Sequence, residues 1–352
     1  MKKVFKVTLS GLCVAGLLLT GCSATAEKKK TDVQPTASGY AAHPQAQAFI
    51  AEMEKEGFSP SYVTSVLSQA RRQESILKAM SRPAEKRLNW GEYRSIFIQP
   101  KRVNQGVKFW NENRIALERA EKEYGVPAEI IVAIIGVETR YGRITGSYRV
   151  IDALATLGFD YPKRSKFFLG QFKEYLHLVR EEKVEFTSLK GSYAGAMGYG
   201  QFIPSSFRNF AVDFDGDGQR DIWKNKTDAI GSVANYFARH HWKAGEEVVS
   251  SVVFNNPAQD EWFSKGLKPE LTLAQWKEKG VSTQASLPLD SPATLMRMTI
   301  KDGEQYWFGL HNFYVITRYN HSRLYAMAVF RLSEQIKAAK VASDTKNKVA
   351  AK

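Results

Sequence analysis

Cysteine is nearly absent. The 352 residues hold two, Cys13 and Cys22. Cys13 lies in an N-terminal segment laid out like a cleaved leader, so a mature chain holding Cys22 alone has no internal disulfide. Stability must come from an ordinary core, and 43% hydrophobic composition is enough for two or three packed units. Long apolar runs are equally scarce: none follows the leader, which excludes a second membrane-spanning segment. Acidic residues are outnumbered 36 to 50, a net charge of +14 that becomes +11 once Lys2, Lys3 and Lys6 are removed. A basic chain suits an anionic partner. The Lys and Arg are scattered, however, with no zinc-finger spacing and no convincing helix-turn-helix, so the expectation is no nucleic acid, and anionic cell wall or lipid headgroups instead.

What is present begins with an address. Met1 to Gly21 join a basic start to the run LCVAGLLL, too short to span a bilayer comfortably and read as a signal peptide over 1–21. Leu19, Thr20, Gly21 and Cys22 resemble a bacterial lipobox, which implies lipidation of Cys22; a plain cleavage site with an incidental Cys is the alternative. Ser23, where Asp could stand, resembles the signal that sends lipoproteins to the outer membrane. The polar stretch that follows, with EKKKTD and QPTASG, reads as a flexible tether over 22–43.

Helical patterns then dominate. In SPSYVTSVLSQARRQESILKAM, Ser59 can cap and Pro60 can open a helix, and FFLGQFKEYLHLVREE and DAIGSVANYFARHHW read as helices, the second opened by Thr227 and Asp228. Between about Gly245 and Glu304 the texture turns strand-like, with EVVSSVVF, ATLMRMTI and a KDG turn before QYWFGL. The fold class is mainly α (α+β).

One acid stands out. Glu138 ends PAEIIVAIIGVETRYG, a segment opened by Pro127 and apolar on every face from Ile130 to Val137. Desolvation there raises a carboxyl pKa and makes a proton donor near neutral pH; a buried ion pair with Arg140 or Arg143 is the other reading. GSYAGAMGYGQFIPSSF offers Gly191, Gly195, Gly198 and Gly200 for close backbone approach to a ligand, with Ser192, Tyr199, Gln201 and Phe202 suited to lining a sugar groove. Tight glycine packing is the alternative. In DFDGDGQRDIWKNKTD, Asp213, Asp215, Asp217 and Asp221 take positions 1, 3, 5 and 9 of an EF-hand-like loop, and Gly218 takes position 6. Position 12 is Lys224, so the loop is irregular, and Asp228 is the next acid that could complete a calcium shell. Gln219 is counted among the ligands. A solvated acidic turn is the alternative.

The order GVETRYG, GSYAGAMGYGQFIPSS, DFDGDGQRDIW and NFYVITRYNHSRLYAMAV resembles the lytic murein transglycosylase B family of membrane-bound, lysozyme-like enzymes from about His43 to Gln335. The resemblance implies that Glu138 is the sole catalytic acid/base and that Ser192, Gln201, Phe202, Tyr236, Tyr319 and Asn320 bind substrate, with Tyr93 in GEYRSIF matching a cleft tyrosine. It implies cleavage of the β-1,4 bond between N-acetylmuramic acid and N-acetylglucosamine in peptidoglycan with formation of a 1,6-anhydro end. The expected partners are peptidoglycan strands, the outer membrane through Cys22, and cell-wall synthesis proteins. The expected cofactor is a structural calcium ion held by Asp213, Asp215, Asp217, Gln219 and Asp228, with no organic cofactor. Ordinary glycosidases use a second carboxylate, and none stands out: Asp152 reads as an early helix residue and Asp160 as part of a turn. A muramidase hydrolysing the same bond and a non-catalytic, calcium-stabilised wall-binding lipoprotein remain alternatives. The expected domains are a helical domain of 44–105 plus 322–340, a lysozyme-like core of 106–243 plus 306–321, a small β domain of 244–305, and a frayed tail of 341–352.

Overall fold

The computed structural model describes residues 39–81, 88–263 and 266–350. The leader, Cys22 and the tether through residue 38 lie outside the described residues. Residues 39–43, expected to belong to the tether, are folded: Tyr40 is buried, its N–H donates to the Leu67 carbonyl, and its ring stacks on Phe159. One aromatic side chain with a stacking partner overrides the polar composition around it.

Three helices open the chain, α1 (Ala46–Lys55), α2 (Pro60–Gln69) and α3 (Glu74–Ser81). As the sequence indicates, the Ser59 side chain accepts the Tyr62 N–H, and Pro60 fills the first turn, where its missing N–H costs nothing. Next come α4 (Trp90–Phe97), α5 (Pro100–Glu112), α6 (Arg114–Tyr124) and α7 (Ala128–Thr139). A reciprocal capping box between Asn89 and Glu92 starts α4. The two-residue strand β1 (Tyr148–Arg149) leads to α8 (Val150–Asp160) and α9 (Ser165–Glu181), then β2 (Lys190–Gly191), which pairs antiparallel with β1. Helices α10 (Pro204–Phe210) and α11 (Lys226–Arg239) flank the acidic loop.

A small β region follows, with β3 (Val249–Ser251), β4 (Val253–Phe254), β5 (Leu271–Thr272), α12 (Leu273–Glu278), β6 (Val281–Ser282), β7 (Pro292–Ile300) and β8 (Gly303–Gly309). Its main sheet is antiparallel in the order β3-β8-β7-β5, and β4 pairs with β6. The chain closes with α13 (His311–Tyr319) and α14 (Arg323–Ala350).

Packing divides these elements differently from the expected domains. Helices α1 to α3 share a core with α8 and α9, where Phe49, Leu67, Phe172 and Tyr175 meet. Helices α4 and α5 instead join α7 and α14. The reason is α7: a helix apolar on every face needs neighbours on all sides, and the distant α14 supplies one of them. The β region has a separate small core around Trp276, Leu295 and Phe308. A boundary at 305/306 would cut β8, whose Tyr306 faces Arg297 of β7. The tail is helical to Ala350 rather than frayed from residue 341, with Lys340 paired to Asp344 one turn on.

Candidate active site

Pro127 caps α7, and Arg140 and Tyr141 end it in left-handed conformations, φ 52° and 62°. This leaves Glu138 half-buried in the last turn. Its Oε1 accepts a hydrogen bond of 2.6 Å from the Tyr325 hydroxyl, delivered by α14. Burial raises the Glu138 carboxyl to about 7, and the Tyr325 bond, which favours the carboxylate, only partly offsets it. Neither Arg140 nor Arg143 pairs with it; Arg140 points into solvent, so the ion-pair reading has no counterpart in the structure. Among the described residues no second carboxylate couples to Glu138. Asp152 is in the first turn of α8, bound by Arg149, and Asp160 ends that helix against Arg72.

Aromatic side chains surround the acid. Burial and the Glu138 charge together push the Tyr93 hydroxyl up to about 12, and the same two causes raise Tyr319 and Tyr325. The Tyr319 hydroxyl donates to the Gly200 carbonyl at 2.5 Å, and the Tyr236 hydroxyl donates to the Arg318 carbonyl at 2.6 Å. The Tyr319 ring meets Tyr236 edge-on at 4.7 Å and Phe202 at 6.0 Å. Phe202 and Tyr236 are buried, so they back the wall rather than form its surface.

The glycines of the 191–200 segment serve packing. A Cβ on Gly198, at φ +68°, would lie 2.4 Å from the Ile222 carbonyl oxygen, and one on Gly200 would lie 2.8 Å from the Tyr319 hydroxyl. The expected close approach to a ligand is therefore an approach to protein. Gln201 holds a left-handed φ of 52°, and its Nε2 donates to the Thr145 and Gly198 carbonyls. Strain of this kind is found at binding sites that the surrounding structure over-determines. Ser192 Oγ accepts the Ala194 and Ala196 amides, half-exposed, and Asn320 leaves α13 at its C-cap, also half-exposed. Thr139, the neighbour of Glu138, ties the segment to α7 through its hydroxyl and the Tyr199 carbonyl, at 3.0 Å.

The acidic loop adjoins this segment: Tyr199 N–H donates to the Ile222 carbonyl. Asp213, Asp215, Asp217 and Asp228 each offer a carboxylate oxygen within 4.8 Å of the others. Asp221 is turned elsewhere, accepting the Trp223 and Lys224 amides. Asn225 caps α11 where Thr227 and Asp228 were expected to open it, which leaves the Asp228 carboxylate free to reach the loop. Asp228 is fully buried and accepts amides from Phe214 and Asp221; burial nonetheless raises its pKa. None of the four carboxylates forms an ion pair among the described residues. Hard oxygen donors converging without a cationic side chain fit a calcium ion.

Sequence reading missed Tyr325 and Asn225. Tyr325 carried a signal, since a tyrosine in the apolar run LYAMAV must find a buried partner for its hydroxyl.

A lone carboxylic acid poised near neutral pH, in a helical core and against an aromatic wall, has the surroundings suited to proton transfer in a glycoside-cleaving enzyme. Residues 41–334 match the family described as Transglycosylase SLT domain. The chain is 43% identical to the membrane-bound lytic murein transglycosylase B of Escherichia coli K12, over 95% of this chain and 98% of that protein. Among solved structures it is similar to the catenated lytic transglycosylase SltB1 of Pseudomonas aeruginosa (52% identity, TM-score 0.83, 86% of this chain and 99% of that one). It is also similar to the Escherichia coli lytic transglycosylase SLT35 in complex with calcium (44% identity, TM-score 0.79, 90% and 100%). The chain belongs to the SLT transglycosylase family and is a lysozyme-like peptidoglycan lytic transglycosylase.

Removing the Tyr325 hydroxyl takes away the bond that favours the ionised acid, so Tyr325→Phe raises the Glu138 pKa further. The alkaline limb of the kcat profile should move up by about one pH unit. A limb that stays in place or moves down would show that the bond does not tune this acid.

Proposed function

We propose that Glu138 performs both proton transfers of the reaction. What supports this is the isolation of its carboxyl, raised to about 7, with Tyr325 as its hydrogen-bond partner and no second acid coupled to it. Protonated Glu138 gives its proton to the glycosidic oxygen as the bond from the muramic acid C1 breaks. Positive charge develops at C1, and with no partner carboxylate it falls to the substrate's own 2-acetamido oxygen. The Glu138 carboxylate then takes the proton of the muramic acid O6 hydroxyl, O6 bonds to C1, and the 1,6-anhydro ring closes. The acid is regenerated and no water is consumed. Tyr93, Ser192, Gln201, Tyr319 and Asn320 hold the sugars, with Phe202 and Tyr236 supporting the wall.

Calcium, in this reading, is bound by Asp213, Asp215, Asp217 and Asp228 with Gln219 at position 7, and neutralises charge that would otherwise drive the loop apart. It acts at a distance, by fixing Ile222 against Tyr199. Lipidation at Cys22 would place the enzyme on the periplasmic face of the outer membrane. The name of the Escherichia coli relative, membrane-bound, is consistent with this, and no helix among the described residues is long and apolar enough to cross a membrane.

Glu138→Gln should lose activity on purified sacculi on the order of 10³-fold or more, and wild-type products read by mass spectrometry should be one water lighter than reducing ends. Reducing ends would make the enzyme a muramidase. Calcium should raise the thermal midpoint by about 5 °C at saturating metal, a chelator should reverse it, and Asp228→Asn should abolish the response; a wild type indifferent to metal removes calcium from the account. Cys22→Ala should abolish labelling by a fatty-acid probe in cells and move the protein from the membrane to the soluble fraction, whereas undiminished labelling would contradict the anchor.

A further inference from the structure

A hollow of about 300 Å³ opens between the N-terminal turn of α5 and the loop after Glu138. Lys101, Arg102, Arg140 and Arg143 line it together with Ile144, and no acidic residue does. Arg102 is the unusual member. It is only 4% exposed, yet among the described residues its guanidinium has no carboxylate partner: it makes one long hydrogen bond of 3.3 Å, to the Gly136 carbonyl, and lies over the Phe97 ring. A buried, unpaired guanidinium is expensive, and burial together with the nearby Arg140 lowers its pKa to about 10. The α5 N-terminus adds little beyond its dipole, since Pro100 has no N–H and the Arg102 and Val103 amides already donate to the Gln99 carbonyl. The three guanidinium groups favour an anion with a planar, forked acceptor, and Gln99 and Gln105 add neutral amides to the lining.

The hollow and the cleft share walls. On one side Tyr93, beside Glu138, packs on Phe97 with centroids 5.1 Å apart, and Phe97 carries Arg102. On the other, the loop that brings Arg140 and Arg143 continues to Thr145, whose carbonyl holds Gln201. A peptide hanging from a muramic acid in the cleft extends about 3.5 Å per residue, and the shared walls put the hollow on its way out. Ile144, 55% exposed at the rim, offers an apolar contact to such a chain.

We propose that this hollow is a subsite for the peptide stem of peptidoglycan, in which Arg102, Arg140 and Arg143 bind a stem carboxylate and Lys101 supports them. The assignment rests on the transglycosylase reading above. The test compares glycan strands bearing intact stems with strands stripped of them by an amidase. Arg140→Gln/Arg143→Gln, both surface positions, should lower kcat/KM about tenfold on stem-bearing strands, mainly through KM, and leave naked strands unaffected. Arg102→Gln should do the same, its thermal midpoint being measured alongside to separate misfolding from lost binding. Wild type acting on stems whose carboxylates are converted to amides should reproduce the loss. Direct binding completes the test: the free stem tetrapeptide should bind wild type and not the double variant. Equal losses on both strands, no loss on either, or binding of inorganic phosphate without binding of the peptide would overturn the subsite. A wild type that cuts neither strand would refute the transglycosylase reading instead.

Discussion

The site is organised around the desolvation of one carboxyl group, Glu138. Helix α7 is apolar on all faces and is surrounded by α5, α6, α11 and α14, and the same burial that makes it the centre of a core keeps Glu138 protonated near neutral pH. Stability and reactivity oppose each other here. A carboxyl whose folded pKa is about 7 against an ordinary 4.5 destabilises the fold as pH rises between those values, by an amount on the order of 3 kcal/mol. The cost is absent below the ordinary value and fully present above the raised one. Tyr325 limits it by giving the carboxylate a hydrogen-bond donor.

Holding the acid fixed requires constraint from several directions, and the 191–202 segment provides it. This segment is pinned by Thr139 at the end of α7, by Tyr319 from α13, and by Ile222 at the edge of the acidic loop. Two of its glycines, Gly198 and Gly200, are where Ile222 and Tyr319 come too close for a Cβ. The acidic loop in turn buries Phe214, with the Arg119 guanidinium 3.5 Å above its ring, and meets the 191–202 segment through the Ile222 carbonyl.

Sequence reading located Glu138 because eight consecutive apolar residues before it are a local signal, and it located the acidic loop because its spacing is local too. It could not pair Tyr325 with Glu138, since a partner 187 residues away depends on which helix packs on α7. The helix-start rule chose Thr227 and Asp228 over Asn225, and the structure shows why it failed: Asn225 takes the cap and also donates to Asp215. Packing cuts across the expected domain bounds for the same long-range reason, because adjacency in sequence says little about which helix covers an all-apolar neighbour. The glycines were legible as close contacts but not as contacts with protein or with sugar.

The cationic hollow places the acid in a wider electrostatic frame. Positive charge close to a carboxyl would ordinarily lower its pKa and undo the effect of burial. Arg102, Arg140 and Arg143 nevertheless leave no mark on Glu138, whose shift has only desolvation and Tyr325 as causes. The guanidinium of Arg102 is engaged by the Gly136 carbonyl and the Phe97 ring rather than by the Glu138 carboxyl, and Arg140, at a left-handed φ of 52°, is exposed. The fold thus keeps basic side chains in the adjoining hollow while leaving the Glu138 carboxyl without a charged partner among the described residues.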